Sequence, residues 1–178
     1  GLAAAAGEVD ILVNNAGAIP SGDISAVEEP RWRQAWDLKV FGFVNLTRAI
    51  YPDMMERKRG VIINIVGLGG EVLNANYIAG STANAALMAF SRALGAQSFD
   101  SGVRVVGINP GMVATERMRT LMETRAQAQL GDKSRWREFT KELPQSRGAE
   151  PKEVADVAVF LASDRASYVS GTVVTIDG

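Results

Sequence analysis

The apolar residues of this chain fall into short unbroken runs separated by longer periodic stretches. Four runs, Asp10–Asn14, Val61–Val66, Val103–Asn109 and Thr172–Ile176, are rich in Val and Ile and show no clean polar alternation. Such runs predict buried parallel strands, because a parallel sheet is covered on both faces and has no solvent side. Helical stretches lie between them. The first starts near Pro30, a favoured first-turn residue, and runs toward Arg59 with Gly60 as its stop; Pro52 inside it predicts a kink or a split. The second is Ala-rich, runs from about Ser81 to Ser101 and stops at Gly102. The last opens at Pro151 and repeats Val154, Val157, Ala158 and Leu161 at helical spacing. Alternation of this kind predicts an α/β fold: an open, doubly wound parallel sheet in a three-layer α/β/α arrangement with right-handed crossovers.

Two stretches depart from the alternation. Residues 116–147 are charged and weakly amphipathic, with Trp136 and Phe139 as possible anchors, and read as a helical insertion into a single domain spanning 1–178. Gly1–Glu8 reads as the tail of a helix feeding the first strand, as if the first βαβ portion of such a domain lay outside this chain.

Composition narrows the chemistry. The 178 residues contain neither Cys nor His, which excludes disulfides and thiolate catalysis and argues against a catalytic triad or a zinc site, so no metal is expected. Acid–base work then falls to Tyr, Lys, Asp or Glu. A net charge of −1 gives no field for nucleic acid or a membrane surface. The longest uncharged stretch runs from Val72 to Ser91, but its Asn, Ser and Thr residues make it a poor membrane span; with no basic, apolar leader visible, a cytoplasmic protein is the expectation.

Ligands of open α/β sheets bind beyond the carboxyl ends of the strands, so the residues just after each strand matter most. Asn14-Asn15-Ala16-Gly17 follows the first strand, and Pro110-Gly111-Met112-Val113-Ala114-Thr115 follows the third. Either one alone is only a tight turn. Together, with Gly60–Val66 between them and the tail Ser163–Gly178 after them, they resemble the short-chain dehydrogenase/reductase family over nearly the whole chain. The resemblance implies a Rossmann-type domain that binds NAD or NADP. Asn15, Ala16 and Gly17 would lie near the adenosine side, and Ile65, Pro110, Gly111, Val113 and Thr115 around the nicotinamide. It also implies a homo-oligomer (dimer or tetramer), with the helices at Pro30–Arg59 and Ser81–Ser101 as candidate interface elements. The substrate would be a small alcohol or carbonyl compound, under a lid formed by 116–147. The family's glycine-rich phosphate loop is not in this chain, nor is the residue that selects NAD over NADP.

Members of that family work with Asn, Ser, Tyr and Lys. Aligned without gaps, the lysine position is Asn84, the tyrosine position Gly80, the serine position Gly67 and the asparagine position Lys39. All four are changed, and two readings follow. In one, the chain is catalytically silent and binds a nucleotide or serves as a scaffold. In the other, the site is rearranged: Lys39 and Asn84 exchange roles across the relay, and Tyr77, three residues before Gly80, supplies the phenol. Ser81 could add a hydroxyl, although helix capping is its more ordinary use. Gly67, Gly69 and Gly70 read as a flexible loop on the substrate side, Trp32 and Trp36 as core or interface, and Arg117, Arg119 and Arg125 as a solvated face or an acidic-substrate contact.

Overall fold

The computed structural model describes residues 5–178. Four parallel strands form one sheet in the order β1 (Ile11–Asn14), β2 (Gly60–Ile65), β3 (Val103–Pro110) and β4 (Thr172–Ile176). The registers are continuous: Leu12 pairs with Ile62, Ile63 with Val106, and Ile108 with Val174. The expected runs are therefore all strands, shifted at their ends by one residue or none. Residues 1–4 of the helix tail expected at Gly1–Glu8 lie outside the described residues, while Ala5 and Ala6 are helical.

Alternate residues of the central strands face opposite layers. Leu12, Ile62, Val103 and Val105 pack with Ile50 and Met54 of α2 (Gly42–Arg57). Ile63, Val106 and Ile108 pack on the other face with Leu161 of α5 (Pro151–Ala162). The three layers predicted from the sequence are present. Helix α5 is anchored from the sheet by Arg104, a buried cation whose guanidinium donates to the carbonyls of Leu161, Ala162, Ser163 and Val169. It thereby satisfies acceptors at the end of a helix, where a cation also meets the favourable end of the helix dipole. On the α5 side, β1 is uncovered and leaves Ile11 and Val13 half exposed.

The stretch Pro30–Arg59 is not one α-helix. α1 (Glu29–Trp36) passes into a π-helical turn, Asp37–Phe41, and then into α2. Pro52 sits within α2 without splitting it, and the irregularity falls at the π-turn instead. Gly60 belongs to β2, and the helix stops at Lys58, which is left-handed at φ 52°. α3 (Ile78–Ser98) begins three residues earlier than expected and ends in a 3₁₀ turn, Phe99–Ser101, capped by left-handed Gly102. The insertion consists of α4 (Glu116–Leu130) and the 3₁₀ segments Lys133–Glu142 and Pro144–Ser146. Phe139 and Trp136 anchor it as expected, packing with Met118 and Met122 in a small core of its own.

A buried polar chain ties the strands to these helices. Asn14 Nδ2 donates to Asn64 Oδ1 (2.9 Å) and Thr47 Oγ1 (3.2 Å), and Asn64 Nδ2 donates to Ser91 Oγ (2.9 Å). Ser91 Oγ donates to the Leu87 carbonyl. With its members satisfied in a dry setting, such a network fixes the relative placement of β1, β2, α2 and α3. Among the described residues no helix is long and apolar enough to cross a membrane, and no cluster of metal-binding side chains occurs.

Candidate active site

The carboxyl ends of β1, β2 and β3 open into a cavity of about 570 Å³. Its floor includes the turn residues Gly17, Pro110 and Gly111 singled out in the sequence, with Ile65 at the end of β2. Lys39, Asn84 and Tyr77 lie on its wall, Met112 borders it from the chain that leads into α4, and Arg117 and Leu121 border it from α4 itself.

Lys39 is carried by the π-turn. Inserting one residue into a helical turn re-aims the side chains that follow, and such turns recur at functional sites. The alkyl chain of Lys39 passes over Gly17, where a Cβ would come within 2.9 Å of Cδ. Its ammonium donates to the Val66 carbonyl at the end of β2 and to Asn84 Oδ1 at 2.8 Å. The two positions that appear exchanged in the sequence are thus in direct contact. Burial, together with the nearby Arg117 guanidinium, lowers the Lys39 pKa to about 8.

Tyr77 stands just ahead of α3 with non-helical backbone, φ −137° and ψ 37°. Its ring folds back over Gly80: a Cβ at residue 80 would lie 2.0 Å from Cζ of Tyr77. The phenol therefore occupies the root of the side chain that Gly80 lacks. Gly69 borders the ring, where a Cβ would sit 3.4 Å away in ordinary contact, and Gly67 borders Asn84, where a Cβ would sit 3.1 Å from Nδ2. Burial raises the Tyr77 pKa above the ordinary phenol value, while the Arg117 charge opposes the rise. Gly80→Ala is expected to expel the ring and cut turnover about as much as loss of the phenol itself. Folding should be retained, because Ala is favoured over Gly within a helix by roughly 0.5–1 kcal/mol; paired turnover and thermal-unfolding measurements check both parts.

Other candidates are placed differently. Ser81 is buried, its Oγ accepts from the Asn74 N–H at 3.2 Å, and it does not line the cavity; it braces the preceding loop rather than capping the helix. Asn15 and Ala16 are exposed and stand off the cavity wall. Thr115 caps α4, accepting from Met118 N at 3.5 Å, and Val113 bridges to Ala149, so neither lines the cavity in this arrangement. The glycine stretch is an ordered 3₁₀ turn, Leu68–Gly70, rather than a slack loop; a Cβ at Gly70 would meet Ala85 N at 2.8 Å, so the turn lies tight against α3. Trp32 and Trp36 pack against the core, and Trp36 Nε1 donates to the Ala79 carbonyl. Of the three arginines, Arg119 pairs with Glu123 and Arg125 with Glu142, whereas Arg117 reaches across to donate to the Ile19 carbonyl at 2.9 Å. Its direction was not readable from helical spacing. Gly80 was the signal of the room made for Tyr77, and Gly67 of the room beside Asn84.

A family model described as enoyl-(acyl carrier protein) reductase matches residues 1–178. The chain belongs to the short-chain dehydrogenase/reductase family. It is 35% identical to the 2-keto-3-deoxy-L-fuconate dehydrogenase of Xanthomonas campestris, over 99% of this chain and 58% of that one. It is also 35% identical to the galactitol 2-dehydrogenase of Cereibacter sphaeroides, covering 99% of this chain and 67% of the relative. Among solved structures, the L-sorbose reductase of Gluconobacter frateurii, complexed with NADPH and L-sorbose, superposes with a TM-score of 0.87 at 31% identity, covering 99% of this chain and 68% of the reductase. A 7α-hydroxysteroid dehydrogenase complexed with NADH gives 0.79 at 30% identity, covering 97% and 64%. The chain thus spans roughly three-fifths to two-thirds of the length of these short-chain dehydrogenase/reductase relatives.

Proposed function

We propose that the protein interconverts a carbonyl compound and the corresponding alcohol, at a rearranged short-chain dehydrogenase/reductase site. The observation that carries this reading is the 2.8 Å contact between Lys39 and Asn84 on the same cavity wall as the Tyr77 phenol. The relatives named above are dehydrogenases and reductases, one complexed with NADH and another with NADPH.

The floor of the cavity suits the nicotinamide half of such a dinucleotide. Gly17, Pro110 and Gly111 present little side-chain bulk, Ile65 offers an apolar surface, and the amide of Asn84 and the amine of Lys39 can meet ribose hydroxyls. When bound, NAD(P) supplies or accepts the hydride. The protein's own task is then to move one proton at the substrate oxygen. Tyr77 holds that proton, because its raised pKa keeps the phenol neutral at physiological pH. Arg117, whose charge and side-chain hydrogen bond favour the ionised phenol, stabilises the phenolate left when the proton is given up, and Lys39, protonated below about pH 8, adds a second positive charge on the same wall. Asn84 fixes the ammonium, with the Val66 carbonyl as its second anchor.

The test is transfer of deuterium from nicotinamide-labelled NADH or NADPH to a panel of ketones, using the full-length protein. Label in the alcohol product is the expected result. Cofactor binding without transfer to any ketone would instead favour the silent nucleotide-binding reading that Gly67 and Gly80 suggest.

A further inference from the structure

The cavity wall carries three cationic side chains, Lys39, Arg117 and Arg125, and no Asp or Glu lines it. The chain as a whole carries a net charge of −1, so this positive excess is local. Arg125 is neutralised from behind by Glu142 at 2.7 Å and stacks on Phe139. The other two have only neutral partners: Lys39 donates to the Val66 carbonyl and Asn84, and Arg117 to the Ile19 carbonyl. Among the described residues neither forms an ion pair. Their charges instead oppose one another across the cavity, and the proximity of Arg117 adds to the depression of the Lys39 pKa. For Lys39, whose ammonium is drawn out of water without a counter-charge, an anion brought by a ligand offsets that cost, whereas Arg117 is exposed and offers its charge to an incoming anion from the solvent side.

The arrangement also gives the anion a direction. Lys39 lies deep, beside Asn84 and the end of β2, where a reacting carbonyl would sit. Arg117 lies exposed at the mouth, with one N–H on the Ile19 carbonyl and its guanidinium also bonded to the Tyr77 phenol, and its remaining N–H groups can meet a two-oxygen acceptor. Resting on the assignment of Tyr77 and Lys39 to the reaction, we propose that the substrate is a hydroxy or keto acid whose carboxylate is held by Arg117 at the cavity mouth. The carboxylate would screen Arg117 from Lys39 and favour the ammonium. A guanidinium fork, unlike an ammonium, fixes the orientation of a planar carboxylate, and so sets which end of the substrate enters first.

Binding separates this claim from the reaction. Calorimetry on the full-length protein, with NAD+ or NADP+ present so that ketones are not turned over, would compare 2-oxobutanoate, acetoacetate and levulinate with their neutral amides. At least one acid is expected to bind about ten-fold or more tightly than its amide, in keeping with a charge-assisted pair. Arg117→Gln should abolish the difference, Arg117→Lys should restore part of it, and NADH and NADPH affinities should stay as in the wild type. Acids that bind no better than amides would overturn the proposal. So would an Arg117→Gln protein that loses affinity for the reduced cofactors instead, since the anion would then be a cofactor phosphate. Acid preference in a protein that transfers no hydride would overturn the reaction assigned above and leave the anion site standing.

Discussion

Tyr77→Phe is expected to lower turnover by about 10²–10⁴-fold, the usual contribution of a positioned general acid or base, while cofactor affinity changes little. That range corresponds to about 3–5 kcal/mol of transition-state stabilisation. The substitution deletes one oxygen and keeps the ring that fills the space over Gly80, so packing around α3 is preserved. Retention of cofactor affinity is the informative half of the measurement. The ring lies against Gly69 and Gly80, whereas Gly17, Pro110 and Gly111 are the lining residues that would meet the nicotinamide. Steady-state rates with the best ketone and a fluorescence titration of NADPH check the two halves. Unchanged turnover would remove Tyr77 from the mechanism.

Lys39→Met is expected to cost turnover by about 10²-fold or more and to alter the pH dependence of both rate and stability. In the wild type, ketone reduction should be level through neutrality and fall as pH rises through about 8, where Lys39 sheds the proton that makes it useful. That limb should be missing from the residual rate of the variant. The stability effect has its own sign. Lys39 has a folded pKa of about 8 against an unfolded value of 10.5, so the fold disfavours its charged form. The penalty is fully present below about pH 8, where it amounts to about 3 kcal/mol. It is relieved between about pH 8 and 10.5, where the unfolded chain still holds a proton that the native state has lost. Any stability gained by Lys39→Met near pH 7 should therefore shrink across that window, as denaturant titrations at pH 7, 9 and 10.5 would show. A variant that loses rate while gaining pH-dependent stability has lost a group kept for chemistry rather than for the fold.

Much of the frame was readable in the residues. Uninterrupted Val/Ile runs marked all four strands, fully for β2 and β3, which are covered on both faces, and also for β1, although its Ile11 and Val13 stand half exposed. Turn residues after β1 and β3 pointed to the cavity floor because those ends are where an α/β sheet opens. The proximity of Lys39 to Asn84 followed from the paired substitution. Other features depend on tertiary packing. Nothing in Asp37-Leu38-Lys39-Val40-Phe41 announces a π-turn, since the sequence keeps ordinary helical periodicity through it. Spacing put Tyr77 one turn ahead of Gly80, yet the ring reaches back only because residue 77 leaves helical geometry. Ser81 looked equally available, and its bond to the Asn74 backbone takes it out of contention. Arg117, Arg119 and Arg125 were alike as letters and were separated only by whether an acid lay nearby.

The mounting of Tyr77 has a consequence for how such a site can change. A side chain seated inside a helix moves only when the helix does. Here the backbone at residue 77 is strapped to a neighbouring loop: Gly22 bridges Tyr77, its N–H donates to the Asn76 carbonyl at 2.7 Å, and its carbonyl accepts from Ile78 N. Gly22 holds φ 143°, and a side chain there would collide with Val27. The reach of the proton donor is thus set by a strap between two loops, so insertions or exchanges around residues 18–27 could retune reactivity while the helix and the sheet stay as they are.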